Sequence, residues 1–172
     1  MDVQRELRRE QNNLVMVGEG VMVLGAWGVL GSLIKIVFEN TLDLSQVQAD
    51  LKDESQLVVW VVWGIVVFFV LAIMFMLVLP HFYVGSRARA QGMGQKVKKT
   101  YLSVAFLMAL LYGISTVLST MYLFGYLREE QSSLSLFTTV VMDLVTFAAF
   151  VRIFVSIYRI EAYKKRIETG EE

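Results

Sequence analysis

Four ionisable side chains stand inside otherwise apolar runs of this chain: Glu19, Lys35, Asp143 and Arg152. Charge in hydrocarbon is costly, so such groups face a bundle interior or water, often in pairs, and can carry protons or ions. Asp143 shares one helical face, within about 60°, with Ser135, Thr139 and Thr146. That stripe could line a hydrated path for a proton or cation, with Asp143 titrating or binding the ion. The same residues could instead satisfy a structural Asp through interhelical hydrogen bonds, and this second use is favoured. Glu19 stands in "GEG", where the flanking glycines allow close approach of a neighbouring helix or of water.

Depth and angle constrain the pairing. At about 1.5 Å per residue, Glu19 lies about 10 Å to the inner side of the midplane, with Arg152 at nearly the same depth. A Glu19–Arg152 ion pair is therefore expected. Asp143 lies slightly to the outer side of centre, and Lys35 further out, where it can snorkel to the outer interface. Glu19 and Lys35 are about 160° apart on their helix, and Asp143 and Arg152 point to opposite sides of theirs. One straight contact between these two helices cannot hold both a Glu19–Arg152 and a Lys35–Asp143 pair. Asp143 then needs a partner from span two, span three or a second subunit, and the last option points to a homo-oligomer.

The elements that must position these residues are membrane helices. The chain is 56% hydrophobic and 19% charged, against roughly 45–50% and about 25% for a soluble domain. Four windows, 14–38, 57–79, 101–126 and 134–158, hold the roughly 20 apolar residues that cross a core of about 30 Å. The expected fold is all-α: a single integral membrane domain over residues 1–172, a four-helix bundle. The first run is too long for a signal-peptide core and lacks a small-residue cleavage site, so it is read as a retained span. There is no cysteine, which excludes disulfides, thiol redox chemistry and Cys-ligated metals.

Charge sets the expected topology. Arg5, Arg8 and Arg9, then Arg87, Arg89, Lys96, Lys98 and Lys99, then Arg159, Lys164, Lys165 and Arg166 fall on one side. Only Lys52 and Arg128 fall on the other, among seven Asp and Glu. The positive-inside rule places both termini in the cytoplasm, as four spans require. The first outer connection places Leu44, Val47 and Leu51 at helical spacing, so a short amphipathic segment on the outer leaflet is expected between spans one and two. Pro80 is expected to end span two and open a long polar inner connection. Val3 and Leu7 mark an amphipathic lead-in to span one.

Small residues mark where membrane helices meet. Gly25 and Gly28, in a band with Gly18 and Ser32, are expected to pack span one. Ala105, Ala109 and Gly113, continued by Thr116 and Thr120, are expected to pack span three. His81 lies at the expected inner mouth of span two, where it could join Arg87, Arg89, Lys96, Lys98 and Lys99 in holding anionic lipid headgroups. The plainer readings are an interfacial anchor for His81 and the positive-inside signal for the cations. Nucleic-acid binding does not fit so small a loop.

HExxH, GxSxG, Walker A and CxxC motifs are absent, as is a histidine pair for a metal or haem. An enzyme is therefore not expected, nor is a cofactor. "VGEG" and the four-span count resemble the small multidrug resistance transporters, which also carry a glutamate in the first span. The chain departs from that family in its greater length, its extended polar loops and a charge bias that opposes dual topology. The reading is a multi-pass protein of the bacterial inner membrane, acting as an oligomeric assembly, accessory or sensor component that meets lipids and a protein partner. The rival is an oligomeric channel or carrier for ions, protons or small solutes, using Asp143 and Glu19.

Overall fold

The computed structural model describes residues 2–38, 56–128 and 134–169. Over these residues the chain forms four helices: α1 (Asp2–Phe38), α2 (Gln56–Gly92), α3 (Thr100–Arg128) and α4 (Leu134–Thr169). Each is long and apolar enough to cross a membrane. The shortest, α3, has 29 residues and spans about 43 Å, well beyond a hydrocarbon core of about 30 Å. The expected outer segment between the first two helices lies outside the described residues, as do the side chains of Lys35 and Ser135.

Three helices run further than the sequence pattern indicates, and α4 continues past the expected 158 to Thr169. The lead-in holding Val3 and Leu7 is continuous with span one in α1. Pro80 does not end span two: α2 continues through it to Gly92, so most of the expected inner connection is helix. Proline lacks the N–H that would bond the Met76 carbonyl. The helix persists because the turns beyond Pro80 are packed, with Val84 and Ala88 fully buried. It stops where the backbone turns left-handed. Gly94 has φ 81°, Gln95 N–H donates to the Ala90 carbonyl and Gly94 N–H to the Gln91 carbonyl, both at 3.0 Å. This paired bonding satisfies the last carbonyls of the helix and uses glycine where a side chain would be strained.

Contacts divide the chain into two units, Met1–Val23 with Pro80–Glu172, and Leu24–Leu79. In the first, Leu14 and Val21 of α1, Val84 and Ala88 of α2, Tyr101 and Ala105 of α3, and Phe150 and Ile153 of α4 form one buried core. The antiparallel α3 and α4 pack against each other, from Lys99 beside Glu161 to Ser115 beside Asp143. In the second unit α2 is apolar all round, and Trp60, Phe68 and Met76 are among its most exposed side chains. An exposed apolar surface of this kind suits lipid rather than water.

In the first unit α1 and α2 meet backbone to backbone. A Cβ on Gly85 would lie 2.5 Å from the Gly18 carbonyl oxygen, and one on Gly18 would lie 2.7 Å from the Gly85 carbonyl oxygen. A Cβ on Gly92 would lie 2.8 Å from the Gln11 carbonyl oxygen. Small residues allow such approach, and in a membrane close van der Waals packing takes over the role of the hydrophobic effect. The expected seam at Gly28 is not formed among the described residues, since a Cβ there would meet nothing within 4 Å. Gly25 is buried. Ala105 and Ala109 are buried, and a Cβ on Gly113 would sit 3.2 Å from the Phe147 ring.

Candidate functional site

The most buried charge of the described chain is Glu10, with only 4% of its side chain exposed. It occupies the apolar stripe of α1 between Leu7 and Leu14, one helical turn from each, and so points where those leucines point. The apolar part of α1 begins at Leu14, so Glu10 lies in the polar flank of the span. Three side chains of α4 meet it. Arg159 Nη1 donates to Oε1 at 2.9 Å, Ser156 Oγ donates to Oε2 at 3.2 Å, and Arg152 Nη2 stands 3.9 Å from Oε2. Asn13, on the next turn of α1, also hydrogen-bonds the carboxylate.

Burial alone would desolvate this carboxylate and push its pKa up. The hydrogen bonds from Arg159 and Asn13, the charge of Arg152 and the Ser156 hydroxyl outweigh it, and the group is held below the ordinary carboxylate value. Glu10 therefore stays ionised at neutral pH. Its arrangement is that of a structural ion cluster: an acceptor-only anion surrounded by donors.

The expected Glu19–Arg152 pair is replaced by two others. Glu19 Oε1 lies 3.2 Å from Arg89 Nε of α2, and Arg152 turns to Glu10. The reason is the continuation of α2 through Pro80. It carries Arg89 back alongside α1, with Gly18 and Gly85 bringing the two backbones close enough for the side chains to meet. Asp143 finds its partner in span three, where Ser115 Oγ donates to its Oδ2 at 2.6 Å. On the same stripe, Thr146 is buried and its hydroxyl bonds the Met142 carbonyl of its own helix at 2.7 Å. Thr116 and Thr120 of α3 bond their own helix in the same way.

His81 does not reach headgroups. It is 2% exposed, with its ring 5.5 Å from those of Tyr112 and Phe150, because the continuing helix turns it into the core. The cations expected beside it are exposed, and two of them are paired: Arg89 with Glu19, and Lys99 with Glu161 at 2.5 Å. Arg87 stands over the Tyr83 ring at 5.9 Å. Lys96 and Lys98 project from the turn between α2 and α3. Tyr101, fully buried, donates to Gln91 Oε1 at 2.5 Å and ties this turn down.

Two open spaces flank these groups. A groove of about 640 Å³ on α3 and α4, between Phe106, Gly113, Phe147 and Phe154, has an apolar lining and offers no ligand to an ion. A polar groove of about 540 Å³ lies along α1, lined by Arg5, Glu6, Arg8, Arg9, Asn12 and Asn13. Among the described residues no group of three His, Asp or Glu side chains could hold a metal ion.

Glu10 was missed by reading the sequence because it stands in a run of charges, "RELRRE", that resembles a solvated flank. The available signal was its place in the series Leu7, Glu10, Leu14, Val17 and Val21, which runs at three- and four-residue spacing. The Gly85, Ala88 and Gly92 series was the corresponding signal for α2. No known protein family, curated protein or solved structure matches the chain.

Proposed function

We propose that this is a non-enzymatic, multi-pass protein of a bacterial inner membrane, with both termini cytoplasmic. It acts as an oligomeric assembly, accessory or sensor component of a membrane complex. The observation that carries the reading is the pairing of the internal charges: Glu10 with Arg159, Arg152 and Ser156, Glu19 with Arg89, and Asp143 with Ser115. Groups so engaged hold helices together. The bias of Lys and Arg toward the termini and the second–third connection supports the orientation.

The second reading, an oligomeric channel or carrier using Asp143 and Glu19, draws on the half-buried position of Asp143 between α3 and α4. Proton and monovalent-cation flux into vesicles holding the purified chain separates the two. The assembly reading expects no flux above that of empty vesicles, and equal traces for wild type, Asp143→Asn and Glu19→Gln. Flux that Asp143→Asn abolishes while the protein stays folded overturns it in favour of the channel.

A further inference from the structure

The arginines around Glu10 outnumber the carboxylates. Arg152 and Arg159 share the single Glu10 carboxylate, while among the described side chains Arg5, Arg8 and Arg9 nearby on α1 have Glu6, 3.9 Å from Arg9. Among the described side chains, five guanidinium groups thus meet two carboxylates. Asn13 links the two sets, since it bonds Glu10 and also lines the polar groove of α1.

The geometry of the α4 pair is specific. Arg152 and Arg159 are seven residues apart, so they stand on one helix face about 10 Å apart along the axis. Their side chains are 41% and 49% exposed. A guanidinium carries five N–H donors in a planar fork, and each of these directs one nitrogen at Glu10. The cluster stands at the level where the apolar part of α1 begins and that of α4 ends. In a bilayer this is the boundary between hydrocarbon and headgroups. Arg152 lies on the hydrocarbon side, where unpaired donors are costly and a long side chain reaches back to the interface.

We propose that Arg152 and Arg159 form a binding site for the phosphodiester of an anionic phospholipid, in the leaflet that faces the chain termini. Arg159 is anchored on Glu10 and presents its outer edge. Arg152, held more loosely by the same carboxylate, closes on the phosphate with a planar fork that matches two phosphate oxygens. Arg5, Arg8 and Arg9 add a field that favours an anionic over a zwitterionic headgroup. The inference rests on the membrane-spanning reading of the helices and is independent of whether the protein is an assembly component.

The test uses the full chain in phosphatidylcholine vesicles containing a minor share of phosphatidylglycerol. Lipid retained after mild detergent extraction is quantified by mass spectrometry. Wild type is expected to retain phosphatidylglycerol about fivefold above its share of the vesicle, the factor that one basic residue near the surface provides. Arg152→Gln is expected to return the ratio to that of the vesicle, and Lys98→Gln to leave it enriched. Arg152→Lys keeps the charge toward Glu10 and is the variant that decides the matter if Arg152→Gln does not fold. Without the planar fork its enrichment should fall roughly twofold. Absence of enrichment in wild type overturns the proposal, as does enrichment undiminished in the Arg152 variants. An equal loss in Lys98→Gln shows only a general basic field and also overturns it. Inorganic phosphate at millimolar concentration is expected to leave the lipid in place; full displacement identifies a free-phosphate site instead.

Discussion

Arg159 Nη1 lies 2.9 Å from Glu10 Oε1, although the two residues are 149 positions apart in the chain. This bond joins the first helix to the last and sets the end of the bundle where both termini emerge. Removing either partner should show how much the closure matters. Glu10→Ala deletes the shared acceptor but leaves two half-exposed arginines that can find other partners, so a loss of about 1–3 kcal/mol is expected. Arg159→Ala leaves a buried carboxylate short of its nearest donor and should cost at least as much. Thermal or denaturant unfolding in detergent checks both.

The same cluster gives a pH dependence of definite sign. The folded-state pKa of Glu10 lies below its ordinary value of 4.5. Its contribution is thus fully present above that value and is lost as pH falls through the lower folded value. Wild type and Glu10→Gln should differ in stability at pH 7, keep that difference down to about pH 5, and converge in more acid solution. A difference that grows on acidification would mean that the carboxylate is destabilising where it sits.

The glycine seam predicts a contrast between Gly18 and Gly85, which face each other across α1 and α2, and Gly28 of α1. Gly18→Ala and Gly85→Ala place a methyl group 2.7 Å and 2.5 Å from a facing carbonyl oxygen, and backbone must move to admit it. Each should lose about 1–3 kcal/mol. Gly28→Ala meets nothing within 4 Å and should be neutral or stabilising by up to about 1 kcal/mol, since alanine favours helix. Equal losses at the three positions would contradict the seam.

At the end of α2 the conformation, not the space, is limiting. Gly94 has φ 81° with open surroundings. Gly94→Ala should cost about 1–2 kcal/mol, and Gly94→Asn less, because asparagine tolerates the left-handed region. Limited proteolysis of the 93–99 turn provides the readout, with faster cleavage expected for the alanine variant.

The helices were legible because a membrane span leaves a long apolar run in the sequence. The pairings were less legible. Depth along a helix can be counted from sequence, but only once its ends are known, and Pro80 misplaced the end of α2. That single displacement hid Arg89 from Glu19, released Arg152 to Glu10, and moved His81 from an interface into an aromatic core. Helix angles alone require Asp143 to find a partner in span two, span three or a second subunit. That partner, Ser115, came from span three of the same chain, which removes the geometric argument for a second subunit at this position. Glu10 was hidden for a different reason: burial is decided by what packs against a side chain, and its charged neighbours in sequence gave no sign of α4.

If the internal charges serve structure and the protein works through a partner, its native mass shows it. The complex would be extracted from its own host in a mild detergent, weighed intact, and its subunits identified. The expected mass lies above that of the homo-oligomer, with a second membrane protein in fixed stoichiometry. A symmetric homo-oligomer with no second chain, conducting ions through Asp143, would contradict it.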